Sequence, residues 1–69
     1  MAELKISLAA ARVNAKLTQD DVAKELKISK KTLCNWENGS VEPSFASLKA
    51  LSDMYDIPID NIFLPIKST

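Results

Sequence analysis

Lys30, Lys31 and Asn35 are the side chains whose type and spacing carry the most chemistry in this 69-residue chain. An ammonium group donates to O6 and N7 of guanine, and a carboxamide pairs with N6 and N7 of adenine in a bidentate way. All three follow Ser29 closely. On a helix that begins at Ser29, Lys31, Cys34, Asn35 and Asn38 fall on one side, and Leu33, Trp36 and Glu37 on the other. Thr32 and Cys34 add a methyl group and a sulfur suited to a thymine methyl. Two lysines at the start of a helix oppose its dipole, whose N-terminal end is positive. Solubility alone is a poor reason for placing them there, and a polyanionic partner is a better one.

These side chains need a rigid support, and the stretch 18–39, TQDDVAKELKISKKTLCNWENG, supplies it. Thr18 is an N-cap candidate for one short helix and Ser29 for a second. Val22, Ala23 and Leu26 recur at helical spacing and form the buried side of the first. The small Ala23 permits a close crossing, and Ile28 in the turn plugs the gap between the helices. Gly39 suits the position just past the second helix, where a left-handed backbone carries no Cβ penalty. Gln19 opens the first helix, so its carboxamide and the neighbouring backbone N–H groups can hold a phosphate. Asn38 and Ser40 follow the second helix and can donate to the next phosphate.

The rest of the chain reads as packing. Residues 1–15 form a first helix that starts either at the Ser7 cap or near Leu4, with Leu4, Leu8, Ala11 and Ala15 along one stripe. Leu4-Lys5-Ile6 gives a weak hint of strand alternation. Ser44 caps a fourth helix in which Phe45, Leu48, Leu51 and Met54 repeat as a core stripe, with Ala50 and Tyr55 beside it. Trp36 packs against this helix and the loop before it. Asp56 ends the helix in a tolerated left-handed position. Asp60 to Leu64 form a short fifth helix, Pro65 stops it, and residues 65–69 are a short tail. The expected fold is all-α, with five helices in one domain spanning residues 1–69.

Composition narrows the function classes. The chain has one cysteine and no histidine, which excludes an intrachain disulfide and leaves a zinc site or a histidine base without ligands. No apolar run reaches the ~20 residues of a membrane span, and no signal peptide opens the chain, so a cytoplasmic location is expected. An enzyme is disfavoured: there are no paired carboxylates and no nucleophile–base pair. No cofactor and no small-molecule ligand are expected. The formal net charge is zero, yet residues 27–35 hold Lys27, Lys30 and Lys31 without an acid. Acids gather after Gly39, as Glu42, Asp53, Asp56 and Asp60. A local basic face binds phosphate even when the total cancels.

The segments LTQDDVAKEL, SKKTLCNWENG and EPSFASLKAL together resemble the lambdoid phage repressors and Cro proteins, and the wider XRE-type bacterial regulators. The resemblance runs from about Leu8 to Leu64. It implies a lambda-repressor-like domain whose helix-turn-helix, about residues 18–38, places its third helix in the major groove of double-stranded DNA. It further implies a phosphate contact by Gln19, and base or backbone contacts by Ser29, Lys30, Lys31, Thr32, Cys34, Asn35, Asn38 and Ser40. By the same likeness Arg12, otherwise an ordinary surface arginine, pairs with Glu37. Related regulators bind palindromic operators as homodimers, and the apolar cluster Ile59, Ile62, Phe63, Leu64 and Ile66 is the candidate dimer surface. The chain departs from the pattern in two places. Lys16 stands where relatives have glycine, which implies modest strain at positive φ. Ser40 and Glu42 stand where relatives carry cations, which implies modest affinity. The expected function is a transcriptional regulator, a repressor of phage or mobile-element type. The alternative is a protein-binding module, such as an antitoxin that binds DNA only to regulate itself.

Overall fold

The structure, a computed structural model, describes residues 5–63, and of Phe63 the backbone alone. In chain order its elements are a strand β1 (Ile6–Ser7), helices α1 (Leu8–Asn14), α2 (Gln19–Leu26), α3 (Lys30–Asn38) and α4 (Phe45–Tyr55), a single 3₁₀ turn (Ile59–Asn61) and a strand β2 (Ile62–Phe63). Each α-helix opens on the hydroxyl cap its sequence offers. Ser7, Thr18, Ser29 and Ser44 accept from the backbone N–H groups of Ala10, Asp21, Thr32 and Ser47. Thr18 and Asp21 form a full capping box, in which the Asp21 carboxylate accepts the Thr18 N–H at 2.9 Å. That bond and the one from the Thr18 hydroxyl hold the Asp21 carboxyl below its ordinary range.

Three helices end on non-glycine residues in the left-handed region: Lys16 at φ 63°, Lys27 at φ 59° and Asp56 at φ 57°. In each case the next N–H reaches five residues back, Leu17 to Arg12, Ile28 to Ala23 and Ile57 to Ser52. These are Schellman closures, and the apolar residue that follows each one packs against the core. The strain expected at Lys16 is therefore present. The lysine charges offset part of it, because they lie at the negative ends of the α1 and α2 dipoles.

The first helix begins at Leu8 on the Ser7 cap, the later of its two expected starts, and Ile6 and Ser7 before it pair in parallel with Ile62 and Phe63. The expected fifth helix, Asp60 to Leu64, is replaced by the 3₁₀ turn and β2; Leu64 and the tail beyond it lie outside the described residues. A segment this short cannot repay helix nucleation. The β-branched Ile62 instead pairs with Ile6 and buries its side chain to 6% exposure. The fold is therefore mostly helical, with four α-helices among the described residues and a small parallel ladder closing the two ends.

The core gathers Leu8 and Ala11 of α1, Val22 of α2, Leu33 and Trp36 of α3, Leu48, Leu51 and Tyr55 of α4, and Ile62. Burying each of the large aliphatic side chains stabilises the fold by about 1.5–3 kcal/mol. Ala11 and Ala23 are buried without bulk, which lets α1 and α2 approach their neighbours closely. Phe45 does not join the core stripe and is 71% exposed. It is the first residue of α4, where side chains lean toward the open N-terminal end. Pro43 is the buried residue at that end.

Candidate nucleic-acid interface

The turn between α2 and α3 fixes how the second helix is presented. Lys27 turns left-handed, Ile28 packs against the core, and Ser29 starts α3 by accepting the Thr32 N–H at 3.0 Å. Leu33 and Trp36 then face inward. Lys30, Lys31, Cys34 and Asn38 are exposed, while Thr32 and Asn35 are half-buried. Cations, a thiol and carboxamides thus share one helix whose opposite side is locked into the core. A helix held this way projects donors along a groove without unpacking.

The polar partners qualify each residue's freedom. The Ser29 and Thr32 hydroxyls lie 2.8 Å apart and bond to each other. Lys30 Nζ is 3.8 Å from Asp20 Oδ1 on α2, a solvent-exposed pair of little energetic weight that still sets an acid beside the lysines. The Asn38 side-chain oxygen accepts the Ser40 N–H at 2.8 Å, so these two expected phosphate donors partly satisfy each other. Of the pair, the Asn38 amide nitrogen and the Ser40 hydroxyl remain for a ligand. The amide nitrogen makes only a long 3.9 Å approach to Cys34 Sγ.

Behind α3 sits a polar cluster that joins three helices. Arg12 Nε donates to Glu37 Oε2 at 2.8 Å, and a second Arg12 nitrogen donates to the Leu17 carbonyl at 2.9 Å. The two side chains are 15% and 7% exposed, so the expected pair is present and nearly sealed. Gln19 Nε2 donates to the other carboxylate oxygen, Glu37 Oε1, at 2.9 Å. The sequence points Gln19 at a phosphate, and the family resemblance pairs Glu37 with Arg12; neither indicates the bond between Gln19 and Glu37. No periodicity could reveal it, because the partners lie on different helices. Tyr55 packs nearby with its hydroxyl buried and unpartnered among the described residues. Burial, and then the Glu37 charge, push its ionisation up to about 12, with Arg12 opposing.

The candidate dimer patch is divided by the fold. Ile62 fills the core of its own chain and offers no free apolar face, and Ile59 is half-buried against that core. The side chains of Phe63, Leu64 and Ile66 lie outside the described residues. Among the described residues, no helix is long and apolar enough to cross a membrane.

Two capped helices crossing through a left-handed turn, with the second helix exposing its cations, define a helix-turn-helix unit. The sequence matches the Helix-turn-helix family over residues 8–62, and the chain belongs to that family, a DNA-binding class used in transcription regulation. It is also similar to the HTH-type transcriptional activator BcrR of Enterococcus faecalis, at 32% identity over 60 residues. That match covers 87% of this chain and 29% of the relative, so the chain spans under a third of the relative's length. No solved structure gives a significant match.

Proposed function

We propose that this domain is a sequence-specific transcriptional repressor of phage or mobile-element type, reading the major groove with α3 and acting by occupying a promoter. The observation that carries this reading is the two-sided character of α3. Lys30, Lys31, Cys34 and Asn38 are open to solvent, and Leu33 and Trp36 anchor the same helix in the core. Lys31 and Asn35 have the chemistry for base edges, with Thr32 and Cys34 beside them. Gln19 and the free N–H groups at the start of α2 suit a phosphate on one side, and Asn38 and Ser40 suit one on the other. One module of this size touches few base pairs, so the active form is a homodimer on a palindromic operator, with half-sites about one helical turn apart. The similar E. faecalis protein is named an activator, which makes activation the competing outcome of promoter binding.

Binding-site selection from random DNA tests the reading, followed by retardation of the selected duplex at low salt. Enrichment of a two-fold symmetric site is expected, with repression when that site overlaps a reporter promoter. No enrichment would refute it. It would favour the second reading, a protein-binding module, which the zero net charge and the exposed Glu42 in the loop after α3 support.

A further inference from the structure

We propose that Glu37 is a positioning residue for DNA contact: its carboxylate, neutralised by Arg12, holds the Gln19 carboxamide so that its second N–H faces a backbone phosphate. The inference rests on the DNA-binding reading given above and adds to it the coupling between the buried pair and the interface. Three observations carry it. First, Glu37 binds both side chains: Oε2 takes Arg12 Nε at 2.8 Å, and Oε1 takes Gln19 Nε2 at 2.9 Å together with a longer 3.5 Å bond from a further Arg12 nitrogen. Both bonds therefore form together. Second, a carboxylate only accepts, so it fixes the amide with its nitrogen inward. One N–H is used by Glu37, and the other has no partner among the described residues. Third, Gln19 is the first residue of α2. The Thr18 hydroxyl satisfies the Asp21 N–H, and the Thr18 carbonyl takes the Val22 N–H. The backbone N–H groups of Gln19 and Asp20 have no partner among the described residues and lie at the same helix start as the carboxamide.

Each member of the cluster then has a distinct task. A bare carboxylate one hydrogen bond behind a phosphate donor would repel the phosphate. Arg12, which donates to both carboxylate oxygens, cancels that charge. Glu37 turns a side chain with three rotatable bonds into a preset donor, which removes part of the ordering cost of binding. Freezing one such side chain in advance corresponds to roughly a two- to twelve-fold change in Kd.

The test is a cycle of four proteins on the selected operator: the parent, Gln19→Ala, Arg12→Met with Glu37→Met, and all three changes together. Replacing both charged partners by apolar residues avoids leaving one of them buried alone. The charge-pair replacement is expected to weaken binding within the two- to twelve-fold range when Gln19 is present. In the Gln19→Ala background the same replacement should have little further effect. Equal losses in both backgrounds, or no loss in the first, would overturn the proposal. If the replaced pair does not fold, relaxation of the Gln19 side-chain amide in the DNA-free parent decides. A rigid amide, with an order parameter near the backbone value of about 0.85, is expected, and a value below about 0.6 overturns it. If the parent selects no DNA, the DNA-binding reading itself fails, and the amide measurement still reports whether Glu37 fixes Gln19.

Discussion

Replacing Arg12 by alanine should nearly unfold this domain. The guanidinium makes two short bonds, to Glu37 Oε2 at 2.8 Å and to the Leu17 carbonyl at 2.9 Å. Its loss leaves Glu37 at 7% side-chain exposure with Gln19 as its remaining donor, and strips the Leu17 carbonyl of that partner. Breaking a buried ion pair from one side costs about 3–5 kcal/mol, because the surviving charge stays buried without its counter-ion. Exposure is too low for solvent to screen much of that. A chain of this length has a total stability of only about 3–10 kcal/mol. At roughly 4–8 °C per kcal/mol for a small domain, the midpoint should fall by more than 10 °C. Urea unfolding followed by circular dichroism at 222 nm, at a fixed temperature, measures the loss directly. Replacing both partners by methionine should be far less damaging than Arg12→Ala, since no charge is then stranded. A loss below about 1 kcal/mol for Arg12→Ala would refute the reasoning, because that is the range of a surface pair.

Asn35→Ala should relax preference at one base pair of the selected operator, costing about 1–3 kcal/mol, whereas Lys31→Ala should weaken binding and reduce its salt dependence; titrations at three salt concentrations separate the two. Tyr55→Phe should stabilise the protein by roughly 1–3 kcal/mol in urea unfolding, because it removes a buried hydroxyl that has no partner among the described residues. The Tyr55 ionisation is raised from 10.0 to about 12 in the fold, so its neutral form is favoured there. That contribution is complete below pH 10 and is lost as the pH rises toward 12, so the parent should destabilise over that window more than Tyr55→Phe does. Lys27→Gly should raise stability by about 0.5 kcal/mol in the same assay: relief of left-handed strain of about 1–2 kcal/mol exceeds the added entropy of the unfolded chain.

What the sequence made legible was what the chain decides locally. The hydroxyl caps at Ser7, Thr18, Ser29 and Ser44, the glycine after α3 and the inward Leu33 and Trp36 each depend on a few neighbouring residues, and each is present. The misreadings occur where distant parts of the chain compete. Phe45 has the spacing of a core residue, but periodicity carries no information about whether anything packs beyond the end of a helix. Ile62 was read with a dimer surface because its own segment is too short to bury it. Its partner, Ile6, lies at the other end of the chain, and only the closed fold brings the two together. Gln19 and Glu37 show the same limit at the interface. Gln19 is expected at a phosphate and Glu37 with Arg12, yet the 2.9 Å bond between them links the buried pair to the point where DNA would be held. A helix-turn-helix can be recognised from caps and stripes alone. How firmly it presents its donors depends on bonds between helices, and in this chain those bonds converge on Glu37, which binds both Arg12 of α1 and Gln19 of α2.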